Sequence, residues 1–377
     1  MTTNTRRVLV IGGGTAGSAA TVLLRRAGLD VDLIEARPDW NATAGSGITL
    51  QGNALRVLRK LGVWDQVQAC GYAFDEVGLT TPDGAVLHVQ ADIRTGGPDL
   101  PGTVGMQRPK LQQILIEAVR ASGARIRLGV TAQSLDQDAD EVSVTFSDGE
   151  SARYDLVIAA DGLHSATRAM IGIDTAPEPT GMAIWRTPAP RPASVTRTDL
   201  AYGGPCFIAG YCPTSESTIY AYLVEALRDR STLDPASYAE HMRELAAGYG
   251  GAWPEIAASI TDPAQVNYTR FDRMLLDGPW HRGRVVLIGD AAHTCPPTLA
   301  QGAALSLEDA LVLAELLSGD QPWDEELLSG FAERRVARVR PVVEASVQLG
   351  QWQLDGVRDA DAPGLIYRTL APLAARP

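Results

Sequence analysis

The chain has 377 residues, 45% of them hydrophobic, so it can bury a sizeable core in two domains or in one large α/β domain. Its net charge of −12 argues against a nucleic-acid partner, because nucleic-acid-binding proteins carry basic faces. There is no basic stripe for an anionic membrane, no run of about 18 apolar residues and no signal-peptide pattern, so we expect a soluble, cytoplasmic protein.

A glycine-rich turn follows the first predicted strand, Arg7 to Ile11, and enters a predicted helix from Thr15 to Ala27. In a G-x-G-x-x-G turn the first glycine allows the tight bend, the second lets the backbone approach a pyrophosphate, and the third packs helix on strand. These glycines are Gly12, Gly14 and Gly17. The next strand, Val31 to Glu35, ends in an acid where such units hold ribose hydroxyls, as in the adenosine half of FAD or NAD. The pattern predicts a dinucleotide site that also takes in Glu35 and Arg37.

A second glycine-rich stretch, Gly45 to Asn53, contains small residues that let the backbone approach a ring or chain closely. We include Gly47 among the predicted cofactor contacts. Phe74 to Gln90 then predicts a hairpin rather than a βαβ unit, with a Pro-Asp-Gly turn at its tip. The chain returns at Arg108 and Pro109, which begin an amphipathic helix.

The middle of the chain predicts first more nucleotide-binding strands and then an antiparallel sheet. The first group lies near Arg125 to Leu128, Val142 to Phe146 and Arg153 to Ala159. The last of these strands ends in Asp161 and Gly162, again an acid and a glycine at a strand's carboxyl end. From residue 177 to 262 prolines, aromatics and alternating strands predict the sheet, with an added helix near Pro235 to Tyr249.

The segment from Arg284 to Ala310 predicts a buried strand, a turn, a loop and the start of a helix. Gly289 ends the strand, and Asp290 places a carboxylate at the carboxyl end, where open α/β sheets bind ligands. Pro296 and Pro297 stiffen the loop. The helix opens with first-turn N–H groups that have no partner inside the helix, so an electron-rich group can bind there. These opening residues are Gln301, Gly302 and Ala303.

No metal site is predicted, because the cysteines show no CxxC or zinc spacing. They are Cys70, Cys206, Cys212 and Cys295. We expect them to be reduced packing residues in an intracellular chain.

Three motifs, GGGTAG with Glu35, AADGLHSATR, and RVVLIGDAAH followed by PPTLAQGAALSLEDA, together resemble the fingerprints of the single-component FAD aromatic hydroxylases of the p-hydroxybenzoate hydroxylase type. The AQGA variant and the GSGI loop are most similar to the salicylate hydroxylase subgroup. The resemblance covers nearly the whole chain. It implies an α/β fold, in which a Rossmann-like FAD-binding domain carries an inserted antiparallel-sheet substrate domain and C-terminal helices.

The resemblance also implies roles for single residues. Arg108 would reach the ribose and phosphates of FAD, Asp290 its ribityl chain, and Asp161 with Gly162 both FAD and the nicotinamide donor. Pro297 would lie beside the reactive flavin edge. The candidate catalytic residues are Thr49, His293 and Pro297.

The resemblance departs at one point that bears on the chemistry. Some aromatic hydroxylases place a histidine on the sheet as a base toward a phenol, but no histidine occurs here between His164 and His241. Aromatic residues stand on that sheet instead and are the predicted substrate contacts: Phe207, Tyr211, Tyr220 and Tyr222. By strand alternation we expect Phe207 and Tyr211 to share one face, and Tyr220 and Tyr222 to share one face. We expect His293 to have a structural or flavin-side role.

The implied activity is hydroxylation of an electron-rich aromatic molecule with O2 through a flavin C4a-hydroperoxide, and NADH or NADPH would reduce the same FAD. The implied protein is a monomer or homodimer without nucleic-acid or membrane partners. Three alternatives differ in class: a flavin-dependent reductase, a non-catalytic flavin-binding protein, and a halogenase. The halogenase needs an active-site lysine, whereas the only lysines, Lys60 and Lys110, lie on predicted helices of the first domain.

The predicted domain boundaries follow the composition changes along the chain. We assign residues 1–72, 101–175 and 268–345 to the FAD-binding domain, 73–100 and 176–267 to the substrate domain, and 346–377 to a C-terminal helical segment.

Overall fold

The computed structural model describes residues 6–41 and 45–377 of the chain. The prediction that no signal peptide is present rests partly on residues 1–5, which lie outside the described residues. The strands are β1 (Arg7–Ile11), β2 (Asp30–Glu35), β3 (Ile48–Gln51), β4 (Tyr72–Phe74), β5 (Glu76–Thr80), β6 (Val86–Ala91), β7 (Thr103–Met106), β8 (Arg125–Leu128), β9 (Ala132–Gln137), β10 (Val142–Phe146), β11 (Ser151–Tyr154), β12 (Leu156–Ala159), β13 (Glu178–Pro190), β14 (Thr198–Tyr202), β15 (Ile208–Pro213), β16 (Thr218–Ala226), β17 (Asn267–Leu275), β18 (His281–Arg282), β19 (Val285–Leu287) and β20 (His293–Thr294).

The helices frame these strands. They are α1 (Thr15–Arg26), α2 (Gly52–Lys60), α3 (Trp64–Cys70), α4 (Arg108–Ala121), α5 (Ala166–Met170), α6 (Tyr238–Ala246), α7 (Trp253–Ser259), α8 (Gly302–Leu317), α9 (Glu325–Leu354) and α10 (Ala362–Leu370). No helix among residues 6–41 and 45–377 is long and apolar enough to cross a lipid bilayer.

A six-stranded sheet forms the nucleotide-binding half, in the order β18-β19-β12-β1-β2-β8. The pairs from β19 to β8 are parallel, and only β18 runs antiparallel to its neighbour. Central strand β1 is buried on both faces: Val8 and Val10 join the helix-covered core, whereas Leu9 and Ile11 pack toward β10. This double burial explains the continuous apolar run of β1, which is typical of parallel sheets.

An eight-stranded sheet forms the other half, in the order β20-β17-β13-β16-β15-β14-β5-β6. All its pairs except β14 with β5 are antiparallel. One face packs under α6 and α7 in a cluster that includes Trp185, Leu223 and Trp253. The opposite face therefore remains to meet the nucleotide-binding half and α9, whose Leu354 packs beside Met182. Two three-stranded sheets, β11-β10-β9 and β3-β7-β4, complete the fold.

The predicted α/β class, with its parallel sheet, antiparallel sheet and C-terminal helices, is confirmed. Some elements differ from prediction. The strand predicted over 153–159 is two strands in different sheets, because the chain leaves one at Tyr154 and enters the other at Leu156. The helix predicted near 235–249 ends at Ala246, and α7 follows it. The domain boundaries stay a prediction, although the eight-stranded sheet also includes residues 267–275 and 293–294.

Candidate active site

Two glycines of the first turn are required by the protein's own packing. Gly12 has a φ of +100°, and a methyl group built on it would lie 2.4 Å from the carbonyl oxygen of Ala160. A methyl group on Gly17 would lie 1.9 Å from the carbonyl oxygen of Gly12. Neither position can accept a side chain without moving the backbone, so these glycines fix how α1 meets the sheet.

The packing of the protein does not explain why residue 14 is a glycine. Its φ of −74° and ψ of −167° are open to any residue, and a methyl group there would meet no atom within 4 Å. Gly14 precedes α1, which begins without a side-chain cap. Uncapped first-turn N–H groups bind anions, and the space beside Gly14 admits one. This corner fits a pyrophosphate.

The acid at the end of β2 holds the turn in place. One carboxylate oxygen of Glu35 accepts from the backbone N–H of Gly13 at 2.8 Å, and the other accepts from the backbone N–H of Arg37 at 2.9 Å. Trp40, a residue that the sequence prediction missed, closes the other side. Its Nε1–H donates to the Gly13 carbonyl at 2.9 Å, and a methyl group on Gly13 would lie 2.5 Å from that nitrogen. A lone tryptophan after a strand gave no signal of this contact.

Asp290 follows β19, and its side chain lies in a recess that is open to solvent although protein surrounds it. The side chain keeps solvent-exposed surface and has no hydrogen-bond partner among residues 6–41 and 45–377. Burial by surrounding protein raises the pKa of Asp290, although His293 and Arg108 act in the opposite direction. A carboxylate that is surrounded by protein yet unbonded suits a ligand with hydroxyl donors, as the ribityl chain would supply.

His293 lies beneath the Asp290 turn rather than in the recess. It is 1% exposed, and its Nε2 lies 2.7 Å from Oδ2 of Asp309 on α8. The same oxygen of Asp309 accepts from the backbone N–H of Gly289 at 2.8 Å. Oδ1 of Asp309 accepts from Nε of Arg335 at 2.7 Å. His293 therefore anchors the turn through Asp309, as its predicted structural role requires.

The buried polar network continues from Arg335 to the loop before α8. Arg335 and Glu308 are both fully buried, with Nη2 of Arg335 3.3 Å from Oε2 of Glu308. Asn53 joins them, since its Nδ2 donates to Glu308 at 3.3 Å and to Oε1 of Gln301 at 2.9 Å. The Gln301 side chain thus points into the network, which leaves its backbone for a ligand. The signal in the sequence was the acidic pair Glu308 and Asp309 inside an apolar helix.

The DG motif forms a separate turn at the end of β12. Asp161 accepts from the hydroxyl of Ser165 at 2.6 Å and from the backbone N–H of Thr167 at 3.0 Å, so it holds the start of α5, where Ser165 is the N-cap. Gly162 has a φ of +83° and open space beside it. Arg168 links this turn to the Asp290 turn, since its Nη1 donates to the carbonyl of Ala291 at 3.0 Å.

The loop before α8 carries Pro297, which is exposed, and Ala300, which has a φ of +52°. Ala300 is the only described non-glycine residue with positive φ. Helix α8 then begins without a side-chain cap and without an acidic residue in its first turn. A methyl group on Gly302 would meet no atom within 4 Å, and Ala303 is half-buried beside it. This second open helix N-terminus fits an electron-rich ring edge.

The second glycine loop touches the eight-stranded sheet. A methyl group on Gly47 would lie 2.2 Å from the ring of Tyr220, so the loop and the ring are in direct contact. Thr49 donates through its hydroxyl to the sulfur of Cys212 at 3.7 Å. A methyl group on Gly45 would lie 3.0 Å from Cδ of Arg108. The loop therefore extends from Arg108, the predicted contact to the FAD phosphates, to Cys212 on the eight-stranded sheet.

Tyr220 and Tyr222 share a face of β16, as alternation predicted, and their rings stack with centroids 5.1 Å apart. Both are half-buried, so part of each ring stays accessible to a ligand. Burial raises the pKa of both hydroxyls above their ordinary value. Neither tyrosine is therefore an ionised base near neutral pH.

The prediction that Phe207 and Tyr211 share a face was wrong. Phe207 precedes β15 and packs with Ile208 and Tyr222, whereas Tyr211 belongs to the cluster under α6 and α7. Tyr211 is 7% exposed, and its hydroxyl donates to Asp199 at 3.1 Å. Alternation failed because Phe207 lies before the strand begins at Ile208. Tyr211 thus lies on the sheet face opposite to Tyr222 and is removed from a shared substrate wall or proton relay.

Together these features fit FAD. Two uncapped helix N-termini, at α1 and α8, have open space beside a glycine, and Asp290 offers an unbonded carboxylate between them in sequence. Among residues 6–41 and 45–377, no group of three or more His, Cys, Asp or Glu could hold a metal ion. All four cysteines are free.

Comparison with known proteins identifies the family of the chain. The family described as FAD binding domain matches residues 5–346. The chain is 32% identical over 351 residues to 2-heptyl-3-hydroxy-4(1H)-quinolone synthase of Pseudomonas aeruginosa, covering 92% of this chain and 90% of that protein. It is 31% identical over 356 residues to 3-amino-4-hydroxybenzoate 2-monooxygenase of Streptomyces cremeus, covering 92% and 87%.

A solved structure shows the same fold. It is HpxO of Klebsiella pneumoniae complexed with FAD and uric acid, which superposes with a TM-score of 0.85 at 23% identity and covers 99% of this chain and 97% of that one. The family model and the two relatives confirm the predicted family. The chain belongs to the FAD binding domain family, among the FAD-dependent monooxygenases of the aromatic hydroxylase type.

Proposed function

We propose that this monooxygenase hydroxylates a small, electron-rich aromatic molecule, with O2 as oxidant and NADH or NADPH as electron donor to a single FAD. The observation that carries the proposal is the stacked pair Tyr220 and Tyr222, which lies on the sheet face that meets the second glycine loop, with Tyr220 in contact with Gly47. Planar aromatic walls favour a planar aromatic ligand, because offset ring stacking adds about 0.5–1.5 kcal/mol beyond area burial. When bound, FAD would supply the oxygen-transfer chemistry.

The protein's own residues would bind, orient and shield. The open corner at Gly14 would take the pyrophosphate, while the carboxylates of Glu35 and Asp290 would accept hydrogen bonds from ribose and ribityl hydroxyls. Backbone N–H groups at Gly302 and Ala303 would stabilise negative charge at the ring end, by roughly 0.3–2 kcal/mol per contact.

Pro297 and Thr49 would lie at the junction of cofactor and substrate. Pro297 stands exposed on the loop before α8, and the Thr49 hydroxyl already reaches Cys212 on the sheet. With substrate and cofactor bound, the tyrosine rings and the loop would help to keep water from the reacting groups. We assign no general base to the described residues. His293 is bonded beneath the Asp290 turn, and the tyrosine hydroxyls stay protonated.

The names of the relatives favour an oxygenase over the alternative flavin-dependent reductase, since one is named a 2-monooxygenase and the other a synthase of a 3-hydroxy-4(1H)-quinolone. The assay is incorporation of one atom from labelled oxygen gas into product, measured separately with NADH and NADPH. Labelled product supports the proposal. Unlabelled product that forms equally well without oxygen would establish the reductase instead, and bound FAD without any NAD(P)H oxidation would establish a non-catalytic flavin protein.

A further inference from the structure

Glu308 on α8 is a fully buried carboxylate, and its closest partner is Arg338 on α9. Arg338 binds both carboxylate oxygens, with Nε donating to Oε2 at 2.7 Å and Nη2 donating to Oε1 at 2.8 Å. Two other arginines lie farther from the same carboxylate, Arg335 at 3.3 Å and Arg56 at 3.5 Å. A bidentate guanidinium fixes the plane and direction of a carboxylate as well as its charge. The orientation of Glu308 inside the protein therefore depends on Arg338.

The orientation of that carboxylate bears on the loop before α8. Nδ2 of Asn53 donates both to the carboxylate, at 3.3 Å, and to Oε1 of Gln301, at 2.9 Å. Gln301 donates in turn to the side chain of Gln51, which donates to the carbonyl of Leu299 at 3.1 Å. The network therefore holds the loop on both sides of Ala300, where φ is +52° and alanine is disfavoured.

Arg338 is itself held by residues 371–375, which follow α10. Its Nη2 donates to the carbonyl of Leu373 at 2.8 Å, and Arg56 donates to the next two carbonyls at 3.1 Å each. Leu373 is 2% exposed and belongs to the core of the nucleotide-binding half, so these carbonyls are firmly placed. The guanidinium of Arg338 is thus fixed between a buried carboxylate on one side and backbone carbonyls on the other.

We propose that Arg338 is a positioning residue for the flavin: through Glu308 and Gln301 it holds the first-turn N–H groups of α8 in the direction of the flavin ring. This inference rests on the proposed function, which places the ring end of FAD at Gly302 and Ala303. Reduction adds negative charge to the ring, so N–H groups held in place there stabilise reduced FAD more than oxidised FAD. Arg338 therefore raises the reduction potential of bound FAD without touching the cofactor.

The test measures the dissociation constant of oxidised FAD and the midpoint potential of the bound cofactor against a reference dye. In Arg338→Gln we expect the affinity for reduced FAD to fall about 10-fold more than the affinity for oxidised FAD. For a two-electron couple this difference lowers the midpoint potential by about 30 mV. A purely structural role would weaken both forms equally, so an unchanged potential would overturn the proposal.

Arg338→Lys separates geometry from charge, and it is the decisive variant if Arg338→Gln does not fold. Lysine keeps the positive charge but is a single point donor that cannot hold both carboxylate oxygens. We expect the affinity for reduced FAD to remain about 3-fold further reduced than that for oxidised FAD, which is about 15 mV. A potential equal to that of the unaltered protein would make the effect one of charge alone and overturn the positioning role.

The matched control is Arg340→Gln on the same helix, which removes the same charge from a side chain paired at the surface with Asp277 and Glu344. This control should leave the FAD affinity and the potential unchanged. A potential shift equal to that of Arg338→Gln would overturn the proposal.

A double variant tests whether Arg338 acts through the network. Arg338→Gln combined with Asn53→Ala should shift the potential no further than the larger of the two single shifts, because the residues act in series. Additive shifts would overturn the proposed route. Failure of the hydroxylase proposal would show separately, as unlabelled product in the oxygen-isotope assay, because the flavin potential does not depend on the fate of oxygen.

Discussion

Replacing Asp309 with asparagine should destabilise the protein although the side chain keeps its shape. Asp309 accepts from Gly289, His293 and Arg335, all within 2.8 Å, and it is fully buried. Asparagine has one acceptor oxygen, so its NH2 group must face either the Arg335 guanidinium or the donors of Gly289 and His293. Breaking a buried ion pair costs about 3–5 kcal/mol. The lower value applies here, because Arg335 keeps its second ion pair, with Glu308 at 3.3 Å.

If Asp309→Asn lowers the free energy of unfolding by about 3 kcal/mol, the melting temperature of a chain of this length changes only modestly. Unfolding entropy of about 2.1 cal/mol/K per residue gives about 0.8 kcal/mol/K for the whole chain, so the melting temperature should fall by about 4 °C. The assay is thermal unfolding in saturating FAD, so that loss of cofactor does not contribute. The control is Asp277→Asn, which breaks an ion pair with Arg340 at a position that is 81% exposed. Such exposed pairs contribute only about 0–1 kcal/mol.

The pH dependence provides a second check on Asp309. Burial opposes ionisation of this carboxyl, but the charges of His293 and Arg335 and the hydrogen bonds from His293 and Gly289 outweigh it and hold its pKa below the ordinary value. A depressed pKa stabilises the fold above the unfolded value of about 4 and loses that contribution as pH falls further. The difference between the unaltered protein and Asp309→Asn should therefore narrow below about pH 4. Equal melting-temperature changes in Asp309→Asn and Asp277→Asn would refute the reasoning.

Asp290→Ala should lose most bound FAD, because a charge-assisted hydrogen bond contributes roughly 1.5–3 kcal/mol, whereas Asp161→Ala should retain more FAD and impair reduction by NAD(P)H; equal FAD loss by absorbance would count against the nicotinamide role. His293→Asn should retain hydroxylation, and the rate for ordinary phenols should rise toward alkaline pH because no described base removes the phenol proton. A loss of about 10²-fold at unchanged flavin content would instead make His293 the base. Ala300→Gly should stabilise the protein by up to about 1 kcal/mol, since alanine is disfavoured at positive φ; a lower melting temperature would contradict this.

The parts of the fold that the sequence predicted are those with local signals. The run of β1, the Gly12 turn and the start of α8 at Gly302 were predicted because strand periodicity, glycine spacing and helix N-termini are written within a few residues. Strand β9 was missed, because its sequence AQSLDQ is polar and half-exposed and lacks an apolar alternation. Its strand conformation depends on pairing with β10.

The parts of the site that the sequence could not predict depend on contacts between distant segments. Asp309 and Arg335 lie in different helices, and neither helix alone indicates that the two side chains meet. That Arg186 on β13 stands opposite Tyr222 on β16 depends on the register of the two strands, which no local pattern specifies. The prediction that Tyr211 shares a face with Phe207 failed for a related reason. Alternation places residues on a face only within a strand, and the residue at which β15 begins cannot be read from the sequence.

The order of strands in the six-stranded sheet has a consequence for synthesis on the ribosome. The first glycine turn and α1 are complete at Arg26. Strands β12 and β19 of the same sheet come much later in the chain, and α8 ends only at Leu317. At about 5–20 residues per second, roughly 15 to 60 s separate the emergence of the first and last of these elements. Strand β1 lacks its neighbour β12 until residue 159 has been made, and the core around Val8 and Val10 lacks α8 until the end of the interval. Flavin loading should therefore be a late event, because the turn before α8 is made near the end of the chain.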